Sequence, residues 1–333
     1  MPKRHTPAPK IAAELARANQ RAEGLAGKVR DLEQRLGHSE RLAKQLADSR
    51  TRALLPRPAV KLARPRKSRS PRDRVRLIFG DMHGSQMEPQ VVASIVEDIR
   101  RLQPDEIVLL GDMVNCGGFL AQHHTLGYVA EISEASYEAD IAATNDVLDA
   151  IIKAAPRAVI HYLEGNHEER VERWCVTQTL SHSRDAEFLR RQFAPEFLLR
   201  LAERGVQYYR RSVHYHGLPV PGTIKLDKCF FWHGTTAARH AAAATAAQIG
   251  GNIVFGHVHR MQQDQTRPVA TGEISAWCPG CTCKLAPLWN HTRPNNWTHG
   301  EGVQLITAGG KFLHLNVPII EGESLLIPLF KHL

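Results

Sequence analysis

Residues 75–84 read V-R-L-I-F-G-D-M-H-G, a short apolar run that ends at glycine and meets an acid and a histidine two positions apart. Val, Leu, Ile and Phe in so short a run, closed by Gly, favour a β-strand. The pattern recurs. Glu106–Leu110 (EIVLL) leads into Gly111-Asp112-Met113-Val114-Asn115, and Ala158–Leu163 (AVIHYL) into Glu164-Gly165-Asn166-His167-Glu168. Cys229–Trp232 (CFFW) leads into His233-Gly234, and Asn252–Phe255 (NIVF) into Gly256-His257-Val258-His259. Helical stretches are expected between them, over 88–102, 136–155, 184–203 and 235–248. Strand, polar cluster and helix in repetition predict an α/β domain. In such a domain functional groups gather beyond the carboxyl ends of the strands.

Those strand ends supply Asp, His and Asn from five separate places, which is the inventory a pair of divalent metals needs. Carboxylates bring negative charge and can bridge two ions. Imidazoles bind borderline metals such as Mn, Fe and Zn. An Asn carbonyl is a neutral hard ligand. In Asp81-x-His83 and His257-x-His259 the two-residue spacing puts both side chains on one side of an extended segment.

The set D-x-H, G-D-x-x-N, G-N-H-E, H-G and G-H-x-H, in this order, resembles the calcineurin-like metallophosphoesterase superfamily, over residues 75 to about 318. The resemblance implies a four-layer α/β/β/α sandwich with a di-metal site at its edge. It implies that Asp81, His83 and His259 hold one metal, that Asn166, His233 and His257 hold the other, and that Asp112 bridges them. His167 would contact the phosphate and help protonate the leaving group. Mn²⁺ is the expected ion, with Fe, Zn or Ni tolerated by the same ligands. Paired cations lower the pKa of a shared water and clamp phosphoryl oxygens. The expected reaction is therefore in-line attack of a metal-bridged hydroxide on a phosphoester, with no covalent phosphoenzyme.

Asn115 stands where many relatives have Asp, and Cys116-Gly117 follows in place of the Arg-Gly of phosphoprotein phosphatases. Their substrate-binding arginines thus have no obvious counterpart, and the intact G-H-x-H fits phosphodiesterase and nuclease-like branches better. Asn115, His167 and Arg239 are the candidate substrate contacts. The stretch from Phe255 to about Val303, through FGHVHR (255–260), CPGCTC (278–283) and RPNNWTHGEGVQLI (293–306), is similar to bacteriophage and prophage members of the superfamily.

Charge divides the 333 residues unevenly. Residues 1–73 carry 19 Lys+Arg against 7 Asp+Glu, a net of +12, whereas residues 74–333 carry 24 against 27. Three regions follow: a helical arm over 1–50, a basic Pro/Arg-rich linker over 51–73, and a catalytic domain over 74–333. Over 11–46 Ile11, Leu15, Ala18, Ala22, Leu25, Val29, Leu32, Leu36, Ser39, Ala43 and Leu46 recur at steps of four and three. That spacing makes one helical seam. It reads either as a coiled coil that makes a homo-oligomer or as a marginal helix that frays. The linker is expected to be extended, either as a handle for phosphates of DNA or RNA or as a tether.

The expected function is a phosphodiester hydrolase acting on nucleic acid. The alternatives are a small-nucleotide phosphatase or pyrophosphohydrolase, and an interaction factor working through its helix. No run of 18 apolar residues exists, so no membrane partner is expected. With no signal-peptide pattern and only 6 Cys, a cytoplasmic site is expected. Cys278, Cys281 and Cys283, with His291 and His299 beyond, pose a choice between a structural zinc and a tight loop of buried thiols. Tyr208-Tyr209-Arg210-Arg211 reads as a strand or as an aromatic–cation nucleic-acid surface. Residues 168–228 could cap the site.

Overall fold

The computed structural model describes residues 59–63, 72–120, 136–179, 184–269, 272–287 and 294–326, with isolated helical positions at 24, 26–29, 37 and 41. Most of the seam over 11–46 lies outside the described residues, as does His291.

Two sheets face each other. The larger has seven strands in the order β12-β11-β10-β1-β2-β3-β4. Its parallel half is β1 (Arg74–Phe79), β2 (Glu106–Leu109), β3 (Val159–Leu163) and β4 (Gln207–Tyr209). β10 (Gly300–Ile306), β11 (Phe312–Ile320) and β12 (Glu323–Ser324) add an antiparallel flank beside β1. The smaller sheet runs β5 (Ile224–Leu226), β6 (Cys229–Trp232), β7 (Ile253–Phe255), β9 (Ile274–Pro279), β8 (Met261–Thr266).

Alternation along the strands sorts side chains into three apolar layers. Leu77, Phe79, Ile107, Leu109, Ile160 and Tyr162 point to helices α1 (Pro89–Leu102) and α2 (Tyr137–Ala154). Their neighbours Ile78, Val108, Leu110 and Leu163 meet Phe231, Val254 and Trp277 between the sheets. On the far side Trp232, Ile253, Phe255 and Ala276 pack on the Ala-rich helix α7 (Ala241–Ile249). Helix, sheet, sheet and helix make the expected four layers.

Local signals explain the helices. Pro89 sits in the first turn of α1, and Val91, Val92, Ile95, Val96 and Ile99 form its buried stripe. Ser136 caps α2 by accepting from Ala139 N at 3.2 Å. Two expectations fail at the ends. The helix expected over 184–203 is three pieces: α4 (Asp185–Phe193), α5 (Pro195–Leu198) and α6 (Leu201–Arg204). Ala194, held extended before Pro195, and left-handed Arg200 (φ 53) make the breaks. The helix expected from 235 starts only at Ala241, because Thr236 Oγ takes the Ala238 N–H in a local turn at 3.3 Å.

The described residues of 168–228 do not form a separate cap. Helix α3 (Arg170–Gln178), α4 and α5 extend the helical layer, where Trp174, Phe193 and Leu198 join the main core. β4 and β5 then edge the two sheets. Of the strand reading at Tyr208-Tyr209-Arg210-Arg211, only Gln207–Tyr209 forms a strand, parallel to β3. Part of the linker is docked rather than solvated. Leu62 N donates to Arg204 O at 2.9 Å, and Val60 and Leu62 pack on the main core.

Candidate metal centre

The clusters meet because the strands that precede them are neighbours. Asp81 N donates to Gly111 O (3.0 Å), and Met82 N and His83 N both donate to Asp112 O (2.9 and 2.8 Å). The loops after β1 and β2 are thus laced together through backbone. Asp81 (φ 51), His83 (φ 56), Asp112 (φ 49), His257 (φ 75) and His259 (φ 56) all adopt left-handed backbone. Each costs on the order of 1 kcal/mol for a residue with a side chain, and such residues cluster at functional sites.

Buried carboxylates hold the loops in that shape. Glu168 accepts the N–H groups of Asp112 (3.0 Å), Met113 (2.8 Å), Val114 (3.1 Å) and Gly165 (3.0 Å), and the Tyr162 hydroxyl (2.8 Å). Burial and the nearby Asp112 charge push Glu168 up to about 7, against these donors. Asp140 of α2 accepts from Ser85 N (3.1 Å), Ser85 Oγ (2.7 Å) and Gly117 N (2.9 Å). At Gly165 a Cβ would lie 2.1 Å from Asp112 Oδ1, so no side chain fits there.

The structure brings all seven expected ligands together. Donor atoms of Asp81, His83, Asp112 and His259 lie within 4.8 Å of one another, as do those of Asp112, His233 and His257. Asn166 Oδ1 lies 3.0 Å from His233 Nε2 and joins the second set. Asp112 belongs to both. His83 Nε2 and His259 Nε2 face each other at 3.1 Å, and His259 Nε2 lies 3.3 Å from Asp81 Oδ1.

These residues fit cations. His233 Nδ1 pairs with Leu110 O at 2.9 Å, and a carbonyl can only accept, so the proton is on Nδ1. Nε2 then turns its lone pair toward Asp112 Oδ2 (3.3 Å) and Asn166 Oδ1 (3.0 Å), both acceptors. Acceptors converging in a buried site call for a proton or a metal ion at their centre. Without metal, the proton wins: burial opposes it, but Asp112 raises His233 to about 9. Against burial, the charge of His233 holds Asp112 well below the usual carboxylate range. Burial and the neighbouring His233 lower His257 to about 4.

His167 N donates to Asp112 Oδ1 at 2.8 Å, and its Nε2 lies 3.9 Å from Asp112 Oδ2. Asn115 is no ligand: its carbonyl and side-chain oxygens lie 2.8 and 3.1 Å from His167 Nδ1. Arg239 is exposed in the turn before α7, where its carbonyl accepts from Gln262 Nε2 at 3.2 Å. Among the described residues the three thiols of the CPGCTC stretch form no cation group of their own, although Cys283 stands with His83 and His259 in one. Cys278 points into the layer under α7, and Cys283 Sγ lies 3.9 Å from His259 Nδ1. His299 spends Nε2 on the Cys283 carbonyl at 2.8 Å, which suits a tight loop of buried thiols.

Several groups at the centre escaped the sequence reading. Trp297 packs edge-on against His259 with centroids 4.1 Å apart, and Arg211 donates to Gly234 O at 3.0 Å. Arg170 Nη2 lies 2.8 Å from His167 Nε2. Arg170 follows G-N-H-E by two residues, one helical turn from His167, and that spacing was the signal available. Trp297 had no local signal, and Arg211 was marked only as part of the aromatic–cation stretch Tyr208-Tyr209-Arg210-Arg211.

A family model described as calcineurin-like phosphoesterase matches residues 76–261. No curated protein matches the chain. Among solved structures, the phosphoesterase YfcE of E. coli is 15% identical, covering 73% of this chain and 98% of its own, with a TM-score of 0.32. Vacuolar Protein Sorting 29 of Cryptosporidium parvum is 10% identical, covering 76% of this chain and 95% of its own, with a TM-score of 0.35.

Proposed function

From the premise that this chain belongs to the calcineurin-like phosphoesterase family, and so is a metal-dependent phosphoester hydrolase, we propose that its substrate is a phosphodiester, in nucleic acid. The observation that carries this reading is the +12 of residues 1–73 beside a catalytic domain with 24 cations and 27 acids. Basic segments bind polyphosphates without reading sequence. We take residues 1–50 as a helical arm, 51–73 as the linker and 74–333 as the catalytic domain. The seam over 11–46 would join copies of the chain.

Two divalent cations, Mn²⁺ in our reading, would activate water and clamp the phosphoryl oxygens. Asp81, His83 and His259 would hold one, and Asn166, His233 and His257 the other, with Asp112 shared. His167 faces the phosphoryl group, and Asn115 orients it. Arg239 would meet substrate further out. No described helix is long and apolar enough to cross a membrane. All six thiols are free and buried, which supports a cytoplasmic site. We also assign the chain to the phage and prophage branch, on the sequence of residues 255–303.

The test compares Mn²⁺-loaded protein on bis-p-nitrophenyl phosphate and p-nitrophenyl phosphate, with Asp112→Ala as the blank. A diester preference is expected. Cleavage of labelled DNA or RNA should then fall steeply with salt, and deleting 1–58, which leaves the docked Val60 and Leu62 in place, should weaken polymer binding but spare the small diester. A monoester preference would instead favour a small-nucleotide phosphatase and leave the arm as a tether.

A further inference from the structure

We propose that Arg170 is a positioning residue of the reaction centre, fixing His167 in one tautomer and one orientation. The inference rests on His167 belonging to that centre, as proposed above. Arg170 opens α3, three residues past His167, and is only 8% exposed. A buried guanidinium is costly unless its donors find acceptors. Arg170 Nη1 donates to Asn115 O at 3.1 Å, and Nη2 lies 2.8 Å from His167 Nε2. Its Nε has no hydrogen-bond partner among the described residues.

Donor chemistry decides the rest. A guanidinium has five N–H donors and no acceptor, so His167 Nε2 must accept and the ring proton must sit on Nδ1. On the other side Nδ1 lies 2.8 Å from Asn115 O, a carbonyl, which can only accept. Two contacts from opposite sides of the ring therefore demand the same tautomer. Asn115 O receives both Arg170 and His167, so the arginine, the carbonyl and the imidazole close a ring of hydrogen bonds. The nitrogen so fixed is the one 3.9 Å from Asp112 Oδ2, the carboxylate common to both ligand sets. In the resting site Nε2 offers a lone pair there, and the N–H at that corner belongs to Arg170.

The test uses full-length protein loaded with Zn²⁺, whose diamagnetism permits ¹⁵N NMR of labelled histidines, and bis-p-nitrophenyl phosphate for kinetics. Wild type should show His167 protonated at Nδ1, and Arg170→Ala should lose that single tautomer. Arg170→Ala should also lower kcat about 10- to 100-fold, the usual range for residues that orient a site, with KM and metal content near wild type. Free guanidinium should restore part of the rate. Arg170→Lys, which keeps the charge but not the fork, should stay impaired. His167→Ala combined with Arg170→Ala should be no slower than His167→Ala alone. A wild-type Nε2–H tautomer, or fully additive losses, would overturn the proposal. The wild-type spectrum decides the tautomer even if Arg170→Ala fails to fold. Full activity in His167→Ala would instead sink the assignment of His167, a different failure from an impaired His167→Ala beside an unimpaired Arg170→Ala.

Discussion

The two sheets contribute to the metal centre in different ways. The seven-stranded sheet supplies Asp81, His83, Asp112 and Asn166 on loops braced from within, by Glu168 under the β2 and β3 loops and Asp140 under the β1 loop. The five-stranded sheet supplies only imidazoles, His233, His257 and His259, and their loops lean on the other side. His233 Nδ1 pairs with Leu110 O, and His257 N donates to Asp81 Oδ2 at 2.9 Å. One side is a self-supporting cradle of carboxylates, and the other is a set of arms docked on it. A buried anionic loop needs its own donors wherever it sits, whereas a neutral imidazole needs only one oriented partner.

The difference can be broken or sharpened by experiment. Asp112→Ala should do most, since both ligand sets share that carboxylate. Bound metal should drop at both positions and activity should fall on the order of a thousandfold or more, equivalent to several kcal/mol. Measurement of metal content with kcat/KM checks this, and an active, metal-replete variant would refute the shared anchor. Gly165→Ala should come next, because its Cβ has no room beside Asp112 Oδ1. Overpacking of this kind costs about 1–3 kcal/mol or more, so thermal unfolding should start lower and metal affinity should fall.

Glu168→Gln tests the cradle more gently. It keeps the size but turns one acceptor oxygen into an amide NH2 donor facing N–H donors. Metal affinity should weaken about 10- to 100-fold. His257→Ala should affect the docked side alone, taking metal content from two ions to one while the set of Asp81, His83 and His259 persists. Equal loss at both positions would show that the sides are not separable.

A separate effect, away from the metal centre, is on stability in acid. Burial lowers His161 to about 4 and His314 to about 4, and both lie in the seven-stranded sheet. An unfolded histidine binds its proton near 6.5, so between about pH 6.5 and 4 the unfolded chain holds more protons. Stability should therefore fall as pH drops through that window, by on the order of 3 kcal/mol for each group once below it. Denaturant titrations at pH 7 and 4.5 would check the slope, and His161→Phe should flatten it.

Five strands and their polar ends were legible because each strand announces itself locally, by a short β-rich run and a Gly-flanked cluster. The family resemblance then gave an expected ligand set residue by residue, and the structure brings those side chains together. The antiparallel flank of β10, β11 and β12 was not read, because pairing across more than 200 residues, as between Val75 and Leu305, leaves no local trace. The broken helix over 184–203 shows the reverse: Pro195 was visible, yet the apolar spacing outweighed it.

What the sequence determined by itself was the inventory: which side chains end the strands, and so what chemistry they can offer. What only the tertiary structure decided was which of them are shared, braced or oriented. Glu168 lies inside a quoted motif, but nothing in its own spacing says that it gathers four backbone N–H groups from two loop segments. Arg170 is one turn from His167 in sequence, but its hydrogen bond counts only because Asn115 closes the other side of the ring. Such roles depend on donors and acceptors brought together by strand order, and strand order is a property of the packed sheets rather than of any short stretch of chain.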